Sequence, residues 1–159
     1  MADGTDQAVA GLFGTYYQPL VRIAALLISD TAAAEDIVQA AFVSLYRAWP
    51  HLGGADKALT YLRRSVIRGT RSSERASAGR PSQPGSAQHA SWPGQGIQET
   101  LLMAALGALP ARQREALVLR YYAEWPDAQI AAAMGISSRD VVSYIARGMS
   151  TLRACQMLD

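Results

Sequence analysis

Between Gly79 and Gly96 the chain reads GRPSQPGSAQHASWPGQG, mostly Gly, Pro, Ser and Gln with almost no aliphatic side chain. Such a stretch has too little apolar surface to offset the entropy lost on ordering, so it reads as a flexible linker. It divides the 159 residues into blocks at 1–78 and 97–159. Each block is of a size at which a small helical domain still forms a core. Trp92 is the linker's one large apolar group and is expected to lean on a neighbouring domain. No internal repeat relates the two blocks.

The first block has helical periodicity throughout. Val9, Leu12, Phe13, Tyr16, Tyr17, Leu20, Ile23, Leu26 and Leu27 recur at three- and four-residue steps, with Pro19 expected to break or kink the helix. After the capping run Ser29-Asp30-Thr31, a second helix places Ala34, Ile37, Val38, Ala41, Phe42, Leu45 and Trp49 on one stripe. Glu35, Asp36 and Gln39 fall on its polar side. Pro50, Gly53 and Gly54 are expected to end it, and a third helix runs from about Lys57 to Arg75.

The net charge of +2 conceals an uneven distribution. Residues 1–56 carry two arginines against six carboxylates, whereas residues 57–80 carry seven basic residues against Glu74 alone. Arg64, Arg68, Arg71 and Arg75 stand at steps of four, three and four, which stacks them on one helix face. Leu59, Leu62 and Val66 lie away from it. Four aligned guanidiniums with almost no balancing acid suit a polyanion, because each phosphate neutralised releases a counterion.

The second block reads as two helices, 97–109 and ARQREALVLRYYA, followed by a helix-turn-helix. DAQIAAAM is the first helix of the motif, and Gly135 supplies a turn that needs positive φ. Ser137 caps the second helix, with Asp140 three residues on. Val141, Ile145 and Leu152 face inward with Gly148 between them; the small-residue helix, the glycine turn, the capped second helix and this inward spacing together point to DNA binding. Tyr121, Tyr122 and Trp125 are expected in the core.

Other classes find little support. The two histidines, His51 and His89, are expected in a turn and in the linker, far apart and without metal-ligand spacing. Glu35 and Asp36 are adjacent, so they diverge on a helix and form no acid/base pair. The expectation is therefore a protein that is not an enzyme, with no catalytic residue, no metal and no cofactor. The lone Cys155 can form no internal disulfide and is expected as a small core residue. No apolar run approaches a membrane span and the N-terminus lacks a signal-peptide pattern, so no membrane insertion and a cytoplasmic location are expected.

These residues resemble the extracytoplasmic-function sigma factors of the sigma-70 superfamily. AAAEDIVQAAFVSLYRAW resembles region 2.2, ALTYLRRSVIRGTRSSER resembles regions 2.3 and 2.4, and LGALPARQREALVLRYYAEWPDAQIAAAMGISSRDVVSYIARGMSTLR resembles region 4. The resemblance implies an all-α protein of two small helical domains, region 2 at 1–78 and region 4 at 97–159, joined by the linker at 79–96. It implies core RNA polymerase and promoter DNA as partners, with an anti-sigma factor as a further one. Glu35, Asp36 and Gln39 would then dock on the polymerase clamp helices, while region 4 would meet the flap. Arg64, Arg68, Arg71 and Arg75 would bind the opened minus-ten element. Ser138, Arg139, Ser143, Tyr144 and Arg147 would read the minus-thirty-five element.

Three stretches depart from the family pattern. Arg139, Asp140, Val141, Val142 and Ser143 replace a Gly-Thr-Val-Lys-Ser stretch, removing a lysine and adding an anion near DNA. Arg68 stands for a common asparagine, with Ser72 for the acid after it. Pro126 stands for a capping Ser or Thr. The missing lysine and Asp140 motivate one alternative, a sigma-like accessory or decoy that docks on polymerase but reads promoters poorly; a second, an independent helix-turn-helix regulator, has the region 2.2 resemblance against it.

Overall fold

The computed structural model describes residues 2–78 and 104–157, which are helical with no strand among them. The linker, with His89 and Trp92, lies outside the described residues, as do 97–103 and the side chain of Cys155.

Three long helices form the first half: α1 (Ala2–Ile28), α2 (Thr31–Leu52) and α3 (Ala55–Ala78). Leu20, Ile23 and Leu27 of α1 join Val38 and Leu45 of α2 and Leu62 and Ile67 of α3 in a buried apolar cluster. Asp30 caps α2, its Oδ1 accepting from the Ala33 amide at 3.1 Å. Neither proline breaks its helix. α1 runs through Pro19, because Pro19 and Thr15, whose carbonyl loses its helical donor, both lie on the exposed face where water replaces the bond. Pro50 lies inside α2, which ends at the left-handed Gly53 (φ 74°), so His51 belongs to a helix's last turn.

The approach of α3 to α2 depends on Gly69. A Cβ there would stand 2.6 Å from Ile37 Cγ2, and Ile37 branches at Cβ and cannot turn aside cheaply. Alanine in place of a helical glycine gains about 1 kcal/mol of propensity, against roughly 1–3 kcal/mol for overpacking. Gly69→Ala is expected to lose about 1 kcal/mol in urea unfolding. Gly14→Ala, at an exposed position of α1 with open space around it, is expected to gain stability by a similar amount.

The second half begins with a helical stretch at 104–108, then α4 (Ala111–Leu117), which winds into a π-helical turn (Val118–Tyr122). α5 (Asp127–Met134) and α6 (Ser138–Met157) complete it. Leu106, Leu117, Leu119, Trp125, Ile130, Met134 and Val141 are its buried centre. The π turn corrects the expectation for the tyrosines. One extra residue in a turn rotates everything after it by about 100°. Tyr121 and Tyr122 are carried outward to 60% and 49% exposure, while Trp125 stays buried as expected.

The two halves pack directly on each other, and arginines carry much of the contact. Arg114 of α4 donates to the Leu27 carbonyl at the end of α1 (2.8 Å) and to Glu74 Oε1 of α3 (2.8 Å). It also donates to the carbonyls of Leu106, Gly107 and Leu109 in its own half. From the other side, Arg63 of α3 lies 4.6 Å over the Trp125 ring and bonds Gln129 Oε1 at 2.6 Å. Burial there lowers the guanidinium's pKa from its ordinary value.

Candidate nucleic-acid interface

α3 presents its arginines because its opposite face is apolar. Leu62 and Val66 are buried and Leu59 is half-buried, which turns Arg64, Arg68 and Arg75 outward. Those three have no hydrogen-bond or ion-pair partner among the described residues, as suits groups held for a polyanion. Arg71, on the same row, is differently placed. Its side chain is only 21% exposed and grips Glu115 of α4 with two nitrogens, Nε to Oε1 at 3.0 Å and Nη2 to Oε2 at 2.9 Å. Nη2 also donates to the Met134 carbonyl at 3.1 Å.

The turn of the helix-turn-helix is built as its sequence suggests. Gly135 adopts φ 72°, closing α5 with its amide on the Ala131 carbonyl, and Ser137 Oγ accepts from the Asp140 amide at 3.1 Å to start α6. Pro126 precedes α5 without a side-chain cap, while Asp127 in its first turn pairs with Arg120 at 2.6 Å. Val141 is fully buried; Ile145 and Leu152 are half-buried and Gly148 is buried. Ser138, Arg139, Asp140 and Arg147 are exposed, whereas Ser143 and Tyr144 are half-buried.

Arg64, Arg68 and Arg71 of α3 face Arg112 of α4 across an open cleft of about 400 Å³. Met134, Gly135 and Ile136 of the turn, together with Tyr144 of α6, form its other wall. Two groups thought of as readers of separate DNA elements are thus neighbours in this structure. Sequence reasoning missed Glu115, which is 2% exposed, and Arg112, whose Nη1 lies 3.6 Å from the same carboxylate. The available signal was an acid set inside the apolar run EALVL.

Glu35, Asp36 and Gln39 lie exposed on α2. Gln39 Nε2 donates to the Tyr17 hydroxyl at 3.3 Å, and Tyr17 stacks on Phe13 at 4.5 Å. Phe13 in turn meets Phe42 edge to face at 5.1 Å. Phe13, Val43 and Tyr46 are 43%, 52% and 46% exposed, so an acidic patch borders an apolar one. A hydrogen bond to Asp6 raises the Tyr46 phenol pKa from its ordinary value. The neighbours on α1 and the step from Gln39 to Val43 would have extended the sequence-based patch.

A helical bundle carrying a cationic row, joined to a capped helix-turn-helix, defines a DNA-binding transcription protein. Comparison with known proteins narrows this. Residues 12–78 match Sigma-70 region 2, and residues 99–152 match Sigma-70 region 4. The RNA polymerase sigma-E factor of Streptomyces coelicolor is 30% identical over 149 residues, covering 87% of this chain and 80% of that protein. The ECF RNA polymerase sigma factor SigL of Mycobacterium tuberculosis is 31% identical over 165 residues, covering 94% and 92%. The fold is similar to that of CnrH in complex with the cytosolic domain of CnrY (TM-score 0.75, 23% identity, 99% and 93% covered). It is also similar to RpoE in complex with the anti-sigma factor NepR from Bartonella quintana (TM-score 0.69, 23% identity, 94% and 97% covered). The chain belongs to the sigma-70 family of RNA polymerase sigma factors, in its extracytoplasmic-function group. It binds core RNA polymerase and promoter DNA and directs transcription initiation. Among the described residues, no helix is long and apolar enough to cross a membrane.

Proposed function

We propose that this sigma factor divides its work between two surfaces, and the segregation of charge between α2 and α3 is the observation that carries the reading. Glu35, Asp36 and Gln39, with the Phe13, Val43 and Tyr46 rim, dock on the clamp helices of polymerase. An acidic patch beside exposed apolar groups combines electrostatic steering with area to bury. The Arg64, Arg68, Arg71 and Arg75 row takes the opened minus-ten strand. Ser138, Arg139, Ser143, Tyr144 and Arg147 face the minus-thirty-five duplex, and region 4 also meets the flap. Asp140 and Val142, exposed in the first turns of α6, weaken that second contact.

The bond-making chemistry belongs to the polymerase, and this chain supplies selection and melting in the cytoplasm without a catalytic group of its own. An anti-sigma factor regulates it, a reading supported by the likeness to RpoE solved with NepR. The deciding experiment mixes the chain with core polymerase and native promoter DNA and sequences the transcripts. Start sites specific to this factor are expected. Transcripts from no native promoter would overturn the reading in favour of a decoy, and duplex binding without polymerase would favour an independent regulator. Glu35→Lys with Asp36→Lys is expected to weaken holoenzyme assembly at least about ten-fold, since both lost charges face the partner. Competition for core against the unaltered chain measures it.

A further inference from the structure

Val142 stands 55% exposed on α6, and neither folding nor attraction to phosphate accounts for it. Tyr144, Ile145, Met149 and Leu152 of the same helix pack on the apolar core, whereas Val142, among the described residues, packs on none of it. A β-branched residue lowers helix propensity, and here no packing offsets that. Its neighbours on the surface are groups suited to DNA. Ser138 and Ala146 lie four residues to either side and Arg139 three before, so the four share one exposed strip over the first turns of α6. Tyr144, two residues on, turns the other way and lines the cleft.

We propose that Val142 reads the C5-methyl group of one thymine in the minus-thirty-five duplex and so sets part of this factor's promoter specificity, which rests on α6 being the helix that enters that duplex. The second helix of such a motif presents its N-terminal residues to base edges. In the major groove those edges are hydrogen-bond donors and acceptors, and the thymine methyl is the apolar feature that an isopropyl group can bury. Set against cytosine instead, the isopropyl strips water from the N4 amino group and returns no hydrogen bond. Discrimination therefore has an attractive part and a repulsive part. Ser138 and Arg139, on the same strip, supply polar contacts that hold the register. The altered helix thus has two separate consequences. Asp140 lowers affinity for every sequence, by repelling phosphates, whereas Val142 exchanges affinity common to all sequences for a preference for one.

Holoenzyme, the full chain with core polymerase, is titrated onto duplexes bearing a promoter located by sequencing its transcripts. Deoxyuridine replaces the thymidines of the upstream element one at a time, on either strand, which removes a methyl group and leaves every hydrogen-bonding edge in place. At one position the wild type is expected to bind about three- to four-fold more weakly, the value of one buried methyl. Val142→Ile is expected to keep that ratio. Val142→Ser, at an exposed position where the fold loses no packing, is expected to bring the ratio close to unity there and nowhere else. Ratios near unity at every thymine, or a ratio that survives Val142→Ser, would overturn the proposal. Arg139→Ala with Arg147→Ala tells that failure from a failure of the wider reading. If the pair weakens binding to the promoter but not to one with a scrambled upstream element, α6 still faces the duplex and only the valine contact falls. If the pair weakens neither, α6 is not the reader and both fall.

Discussion

Reversing Arg64 and Arg68 together to glutamate is expected to reduce promoter opening at least about 100-fold while leaving assembly with core polymerase unchanged. Both side chains are exposed and have no hydrogen-bond or ion-pair partner among the described residues, so the fold loses no such bond when they change. Their loss is felt only by what they bind. A hydrogen bond to a charged group is worth about 1.5–3 kcal/mol, and two such bonds correspond to at least about 100-fold. Two fewer phosphates on a single strand should also make the salt dependence of binding shallower by about 1.4 in log–log slope. Permanganate footprinting of the opened region, with holoenzyme assembly as the control, measures the first effect, and a salt titration of strand binding measures the second. Unchanged opening would move the minus-ten contact off α3. Arg75 makes a useful comparison, because it lies on the same row yet outside the cleft walls.

How far the sequence reached is clearest at the helix-turn-helix. The residues DAQIAAAM form α5 from Asp127 to Met134, Gly135 takes the left-handed turn, and Ser137 caps α6. Each of these is a local effect, a matter of φ, of one hydroxyl and of a short apolar period, and local effects are legible in a linear chain. Neither Pro19 nor Pro50 breaks its helix, for a reason the sequence does not carry. Whether a proline breaks a helix depends on whether the orphaned carbonyl finds water, and that depends on which face the bundle buries. The tyrosine pair failed similarly, since a π turn after Leu117 shifts the phase that a 3.6-residue period assumes.

The candidate site was legible in its charges but not in its pairing. Spacing alone put Arg64, Arg68, Arg71 and Arg75 on one face. That Arg71 would meet Glu115, forty-four residues on in sequence, is a tertiary fact set by how the halves pack. Nothing in the stretch ARQREALVLRYYA told its arginines apart. In the structure they have separate tasks: Arg112 lines the cleft, Arg120 pairs with Asp127 near the start of α5, and Arg114 joins the halves.

Replacing Arg114 by alanine is expected to destabilise the chain by about 3–5 kcal/mol, the largest effect of any single change considered for the fold. The guanidinium is 15% exposed and its fork serves four backbone carbonyls and one carboxylate, so truncation strands buried acceptors from both halves at once. The carboxylate is the lesser part of this. Burial pushes the Glu74 carboxyl above its usual range, and Arg114 pulls it back only in part, so charging Glu74 opposes the folded state despite a 2.8 Å ion pair. The sign follows: a carboxyl with a raised pKa in the fold favours the fold below its ordinary pKa. That advantage is lost as pH rises through the window between the ordinary and the raised value. Glu74→Gln is therefore expected to leave neutral-pH stability within about 1 kcal/mol of wild type and to flatten its fall across the carboxylate range. Arg114→Lys should recover less than half of the alanine loss, because a point charge cannot reach the Leu27 and Leu106 carbonyls together. Urea unfolding of the three variants at neutral and mildly acidic pH separates the two contributions. Equal losses for Glu74→Gln and Arg114→Ala would show that the ion pair, and not the carbonyl fork, holds this corner.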